Sequence, residues 1–289
     1  MKGLLQAFIK NLRRYCVELR DHVGTFAIMI IGMLVTGASF LWAFKTFMIA
    51  QDVPVTLADV IIWIYDPADF GVSFVWTAAP IFSLLWLSRL WADRESPNWI
   101  VRQKSHASVW GIEVFDMVLT SILVGLIIHL FMLAAGLFVS EGFIGFDDPR
   151  GLFARYAPGC VPDASFAAVA LGGLVFCWLA LMVTHALFAL LRRLMGSGGN
   201  GWAAFVIVAL LGLPQIHGKN VFLLEMLKAL FPLASQAVNP LSYLYGSASI
   251  FYPTWAFGTS HGFLFLIGVF AVVIGIGTVY VRKRGVFRK

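Results

Sequence analysis

Six histidines, three cysteines and fifteen carboxylates are the side chains in this 289-residue chain best suited to chemistry. Their spacing argues against most of it. HExxH is absent and no two cysteines stand at ligand spacing, so nothing points to a zinc centre. GxxxxGK[ST] is absent too. The turn Gly196-Ser197-Gly198-Gly199-Asn200-Gly201 has glycines but no lysine, and it follows an apolar block instead of a strand. It reads as a reversal between helices. Ser260 and His261 are neighbours in sequence, whereas a nucleophile and its base must meet across a fold. His129 and His185 fall inside long apolar blocks, where polar groups are costly and turn inward. They either line a proton or metal path or pack helices through hydrogen bonds. No carboxylate lies deep in any block, which weighs against an ion-coupled carrier. The chain is not read as an enzyme, and no cofactor is expected on it.

The elements that must position these groups follow from composition. The chain is 60% hydrophobic and only 12% charged, against about 25% in an average soluble domain. The apolar residues fall in blocks long enough for helices of roughly 20 residues to cross a bilayer. The expectation is an all-α polytopic membrane protein with about six transmembrane helices, preceded by an N-terminal amphipathic interfacial helix. Residues 1–22 form that helix, with Arg13, Arg14 and Tyr15 on it, and residues 23–289 form the transmembrane domain. Spans are expected near Thr25–Ile49, Gly71–Leu87, Phe115–Val139 and Phe166–Leu191, then a fifth that starts near Trp202 and is broken around Pro214, and last Gly262–Val281. Residues 51–70 read as an external loop with a short interfacial helix, and 218–260 as an external re-entrant segment.

Charge tests this topology. The N-terminal stretch, the loop between the second and third spans, the Gly-rich turn with the Arg192-Arg193 pair that opens it, and the tail hold sixteen of the 21 Lys and Arg. The positive-inside rule places those segments, and both termini, in the cytoplasm. The net charge of +6 is thereby accounted for by topology, and nucleic acid is not expected as a partner. Cys16, Cys160 and Cys177 fall inside, outside and within a span, so no internal disulfide is predicted. Glu113 and Asp116 stand at the cytoplasmic mouth of the third span, where Arg102 or Lys104 could pair with them.

Ser88–Glu113 is the largest cytoplasmic loop between spans. Asp93, Arg94 and Glu95 precede Ser96-Pro97-Asn98, a break followed by a fresh helix start. Trp99, Ile100 and Val101 then form an apolar knob beside Arg102 that either docks into a groove on a soluble partner or belongs to a solvated linker.

This order of parts resembles the membrane subunit of ABC-2 type ABC transporters. The counterparts are residues 1–22, the six spans, Ala92–His106 and residues 218–260, so the resemblance covers the whole chain. Asp93, Arg94 and Glu95 match the acidic start of that family's coupling loop, while SPNWIVRQKS departs from its Gly-Thr, Leu-pair and Pro pattern. The resemblance implies a permease in a bacterial-type plasma (inner) membrane. A second permease copy or homologue would pair with it. Two copies of a cytoplasmic ABC ATPase, which hold ATP and Mg, would dock on residues 92–106. Membrane lipids would surround the pair. The apolar path suits export of an amphipathic or lipid-like substrate. A non-transporting subunit of another membrane assembly and an ion-coupled carrier are the alternative readings.

Overall fold

The computed structural model describes residues 2–50, 52, 54–57, 59–60, 78–92, 105–140, 166–195 and 259–286. Within them the chain is helical, with no strand. The helices are α1 (Lys2–Asp21), α2 (Val23–Ala50), α3 (Ala78–Leu90), α4 (His106–Val139), α5 (Phe166–Met195) and α6 (Thr259–Val286). Stretches within α2, α4, α5 and α6 are long and apolar enough to cross a membrane, and α3 is a shorter apolar helix. Hydropathy therefore locates these helices, but it misjudges their ends. α4 begins at His106, more than two turns before the expected Phe115, because the Ser105 hydroxyl caps it by accepting from Ser108 N (3.1 Å). α5 runs on to Met195, so Arg192 and Arg193 are helical instead of sitting in the Gly-rich turn. Ser88–Leu90 likewise complete α3. The 88–113 region thus contributes helix at both ends.

Contacts set the helix directions. Arg14 of α1, Trp91 just past α3, Asp116 early in α4, Arg192 late in α5 and Tyr280 late in α6 gather at one end of the bundle. Lys45 of α2 reaches the last carbonyl of α4, Val139 O, at the opposite end (3.1 Å). So α2 and α4 run away from the α1 end, while α3, α5 and α6 run toward it.

Two buried apolar clusters stack along this axis. The one nearer the Val139 end contains Met33, Leu41, Met48, Ile128, Met132 and Leu266. The one nearer α1 is aromatic, with Tyr15, Trp86, Trp91, Trp110 and Phe188. Glycines let helices approach. A Cβ on Gly125 would lie 2.5 Å from Trp178, and one on Gly32 would lie 2.9 Å from Phe82. Trp110 similarly fills the notch at Gly277. Small residues at such crossings bring membrane helices together where lipid offers no hydrophobic drive.

Beyond α2, Thr56 and Asp59 form a reciprocal cap. Thr56 N and Oγ1 donate to Asp59 Oδ2 (2.9 and 2.8 Å), and Asp59 N donates to Thr56 Oγ1 (3.1 Å). Leu57, Asp59 and Val60 are helical. Leu57 and Val60 pack over Gly136, and residues 61–70 of the expected external loop lie outside the described residues.

Candidate functional site

The densest polar chemistry lies at the α1 end. Glu113 of α4 is 1% exposed and receives two arginines from the last turn of α5. Arg192 Nη2 donates to Oε1 (3.1 Å), and Arg193 donates to Oε2 through Nε (2.8 Å) and Nη2 (2.6 Å). Arg192 is itself 1% exposed. Its guanidinium lies 5.0 Å from the Trp91 ring centroid, and that of Arg193 lies 5.5 Å from Trp110. A guanidinium is weakly hydrated and can take an aromatic face, which makes it the cation best suited to such burial.

One turn along α4, Asp116 is fully buried and binds two more elements. Arg14 of α1 donates to Oδ1 (2.6 Å) and Trp91 Nε1 to Oδ2 (3.3 Å). Trp91 also stacks on Phe188, with centroids 6.0 Å apart and planes inclined by 15°. Phe188 and Arg192 are four apart on α5, so one face of that helix grips the indole. The Tyr15 hydroxyl pairs with Thr120 Oγ1 (2.9 Å), and Phe8 meets Phe115 edge-on (5.5 Å). Burial lifts the Tyr15 phenol above its usual value of 10, by more than its hydrogen bond with Thr120 and the nearby Trp86 indole lower it. Trp110 Nε1 donates to Thr278 (3.1 Å) and the Tyr280 hydroxyl to Arg193 O (3.3 Å), adding α6. Three arginines and two carboxylates thus join α1, the end of α3, α4 and α5 in one buried clasp, with α6 tied to it by tryptophan and tyrosine.

A second polar site lies within the bundle. His185 of α5 is fully buried. Its Nδ1 is 2.8 Å from Ser121 Oγ on α4, and its Nε2 is 2.8 Å from Ser83 Oγ on α3. The serines also face their own carbonyls, Ser121 to Met117 O (2.7 Å) and Ser83 to Pro80 O (3.1 Å). A neutral imidazole carries one N–H and each serine one O–H. The shorter back bond at Ser121 selects the arrangement in which Nδ1–H donates to Ser121 and the Ser83 hydroxyl donates to Nε2. Every ring nitrogen then has a partner, and three helices are pinned through one side chain. His129 is buried on α4 eight residues beyond Ser121, about 12 Å along the helix. His185 reaches the two serines, not His129.

The remaining expected site residues divide cleanly. Asp93, Arg94, Glu95, Ser96, Pro97, Asn98, Trp99, Ile100 and Arg102 lie outside the described residues, as do Lys104, Cys160, the fifth expected span and nearly all of 218–260. Their flanks are described: Trp91 sits in the clasp and Ser105 caps α4. On α1, Arg14 and Tyr15 face the bundle and Arg13 is exposed. Cys16 is exposed and free, and Cys177 is buried and free. Sequence reasoning placed Glu113 and Asp116 at a helix mouth but did not find Arg14, Arg192 and Arg193 as their partners. The available signal was an acidic pair at i,i+3 on one helix and an Arg-Arg pair closing another on the same expected side. No group of residues that could hold a metal ion occurs among the described residues. The chain matches no protein-family model, no curated protein and no solved structure.

Proposed function

We propose that this chain is the transmembrane subunit of an ATP-driven exporter of the ABC-2 type, moving an amphipathic or lipid-like substrate. One observation carries the reading. Residues 93–104 are strung between Trp91, gripped by Asp116 and Phe188, and Ser105, the cap of α4. A force applied to that loop acts directly on the clasp joining α1, α4 and α5. That is the arrangement a docking loop needs to pass ATP-driven movement from a separate ATPase into the spans.

The helix directions support six spans. α5 ends at the α1 end and α6 starts at the other, so the chain between 196 and 258 has to return across the bundle. A fifth span near 202–217 supplies that return and leaves both termini on one side. The basic residues at the α1 end assign that side to the cytoplasm by the positive-inside rule. The exposed apolar side chains Leu5, Phe8, Ile9 and Leu12 suit α1 to the membrane surface.

Affinity purification in mild detergent with mass spectrometry of stoichiometric partners tests the reading. A soluble protein carrying GxxxxGK[ST] is the expected partner, and Trp99→Ala should lower its retention and its substrate-stimulated ATPase. Recovery of membrane proteins alone, with no ATPase, would replace this reading with that of a non-transporting assembly subunit.

A further inference from the structure

α1 presents three faces. Tyr15 and Arg14 turn to the bundle. Leu5, Phe8, Ile9 and Leu12 form an exposed apolar face. Between these runs a third stripe, Gln6, Lys10, Arg13 and Val17, spaced i, i+4, i+7 and i+11 and exposed throughout. A groove of about 660 Å³ follows this stripe, and among the described residues its walls are Gln6, Ile9, Lys10, Arg13, Arg14, Val17 and Glu18. That volume falls in the usual range of about 300–1,000 Å³ for small-molecule sites.

We infer that this groove is a binding site for an anionic phospholipid. Lys10 and Arg13 stand one turn apart on the groove and can both reach a phosphodiester, with Gln6 offering an amide to the glycerol or headgroup. Ile9 and Val17 give the acyl chain an apolar wall that continues onto the exposed Phe8 and Leu12 face. A soluble anion would use only the cations, and a zwitterionic lipid would leave their charge uncancelled. The groove also contains Arg14, which holds Asp116 at 2.6 Å and lies 3.8 Å from Glu18. The bound lipid therefore sits against the residue that ties α1 to α4. The inference rests on the reading of α1 as a surface helix, and is independent of any ATPase.

The test is native mass spectrometry of the full chain released from micelles holding equal phosphatidylglycerol and phosphatidylcholine. Phosphatidylglycerol should be retained selectively. Each basic residue near an anionic surface is worth roughly fivefold in binding, so Lys10→Gln with Arg13→Gln should cut the retention ratio on the order of 30-fold. The control pair Arg282→Gln and Lys283→Gln removes the same charge from exposed positions on α6 and should leave the ratio unchanged. Equal retention of the two lipids, equal loss in both double variants, or displacement by soluble glycerol phosphate would overturn the site. A fluorophore on Cys16, with Cys160→Ser, separates this from the position of α1. Quenching by brominated phosphatidylcholine without headgroup selectivity would refute the lipid site alone. No quenching would refute the surface placement as well.

Discussion

The two ends of the bundle are held by different physics. At the α1 end, Glu113 and Asp116 collect arginines from residues 79, 80 and 102 positions away in sequence. At the Val139 end, the described residues include the local Thr56–Asp59 cap and Lys45 on one carbonyl. Between them lie methionine, leucine and glycine packing, the His185 pin, and Trp178 Nε1 donating to Ile122 O (3.2 Å). Removing a carboxylate from the α1 end strands buried charge. Removing Lys45 from the other end frees only the half-buried Val139 carbonyl at a helix end, which can still find water or a headgroup. A movement delivered at the α1 end therefore meets a discrete set of ion pairs to break or keep.

The largest expected effect is at Glu113. Glu113→Gln leaves Arg192, 1% exposed, facing a neutral amide. Breaking one partner of a buried pair costs about 3–5 kcal/mol, while replacing the pair by apolar groups is often neutral. The apparent Tm in detergent should fall sharply in Glu113→Gln and recover in part when Arg192→Met is added. Equal loss in the single and double variants would mean that the pair does not stabilise the end as a unit.

Next in size is the packing between the ends. Gly125→Leu must displace Trp178, since even a Cβ would meet the ring at 2.5 Å. Overpacking of this kind costs about 1–3 kcal/mol. Gly172→Leu on α5 is the contrast, because nothing lies within 4 Å of its Cβ position. A Tm drop confined to Gly125→Leu is expected, because Leu is the better helix former at both positions, and similar drops in both would mean that the Trp178 contact does not set the cost.

The third prediction concerns pH. The Tyr15 phenol has its folded pKa raised above 10, so the stability it contributes is complete below the unfolded value and is lost as pH rises through the folded one. Docking of α1 should loosen at alkaline pH, read as increased proteolysis near Arg13 and Arg14. Tyr15→Phe should lose about 1 kcal/mol from the Thr120 bond and flatten that alkaline limb. An unchanged limb in Tyr15→Phe would assign the loosening to another group.

Much of this architecture was legible because a spanning helix advertises itself through length and hydropathy. α2 and α6 fell within a few residues of their expected limits for that reason. The clasp was less legible. A hydropathy window ends a span at the first charge, so Glu113, Arg192 and Arg193 read as loop and turn. Yet a helix can continue through charges that neutralise one another, and which charges do so depends on partners 79 and 80 residues apart. The same blindness separated His185 from Ser83 and Ser121, since three helices must be docked before their levels match. Arg14 was a further case. Amphipathicity alone sets it apart from the apolar face, but its helical position beside Tyr15 aims it at Asp116.

The smallest effect expected is at Lys45, and it sharpens the contrast between the ends. Lys45 lies near the end of α2, and its ammonium donates to Val139 O, the terminal carbonyl of α4 (3.1 Å). A cation there meets the negative end of the helix dipole, an interaction worth about 0.3–1 kcal/mol. Lys45→Met should therefore lower the apparent Tm only slightly, and Lys45→Arg should restore it. Because this contact is half-buried near a helix end, added salt should shrink the difference. Salt should leave the Glu113→Gln deficit nearly intact, because those charges are sealed from counterions. If salt erased both deficits equally, the α1 end would be open to solvent in the membrane, and the contrast between its sealed ion pairs and the accessible Lys45 contact would fail.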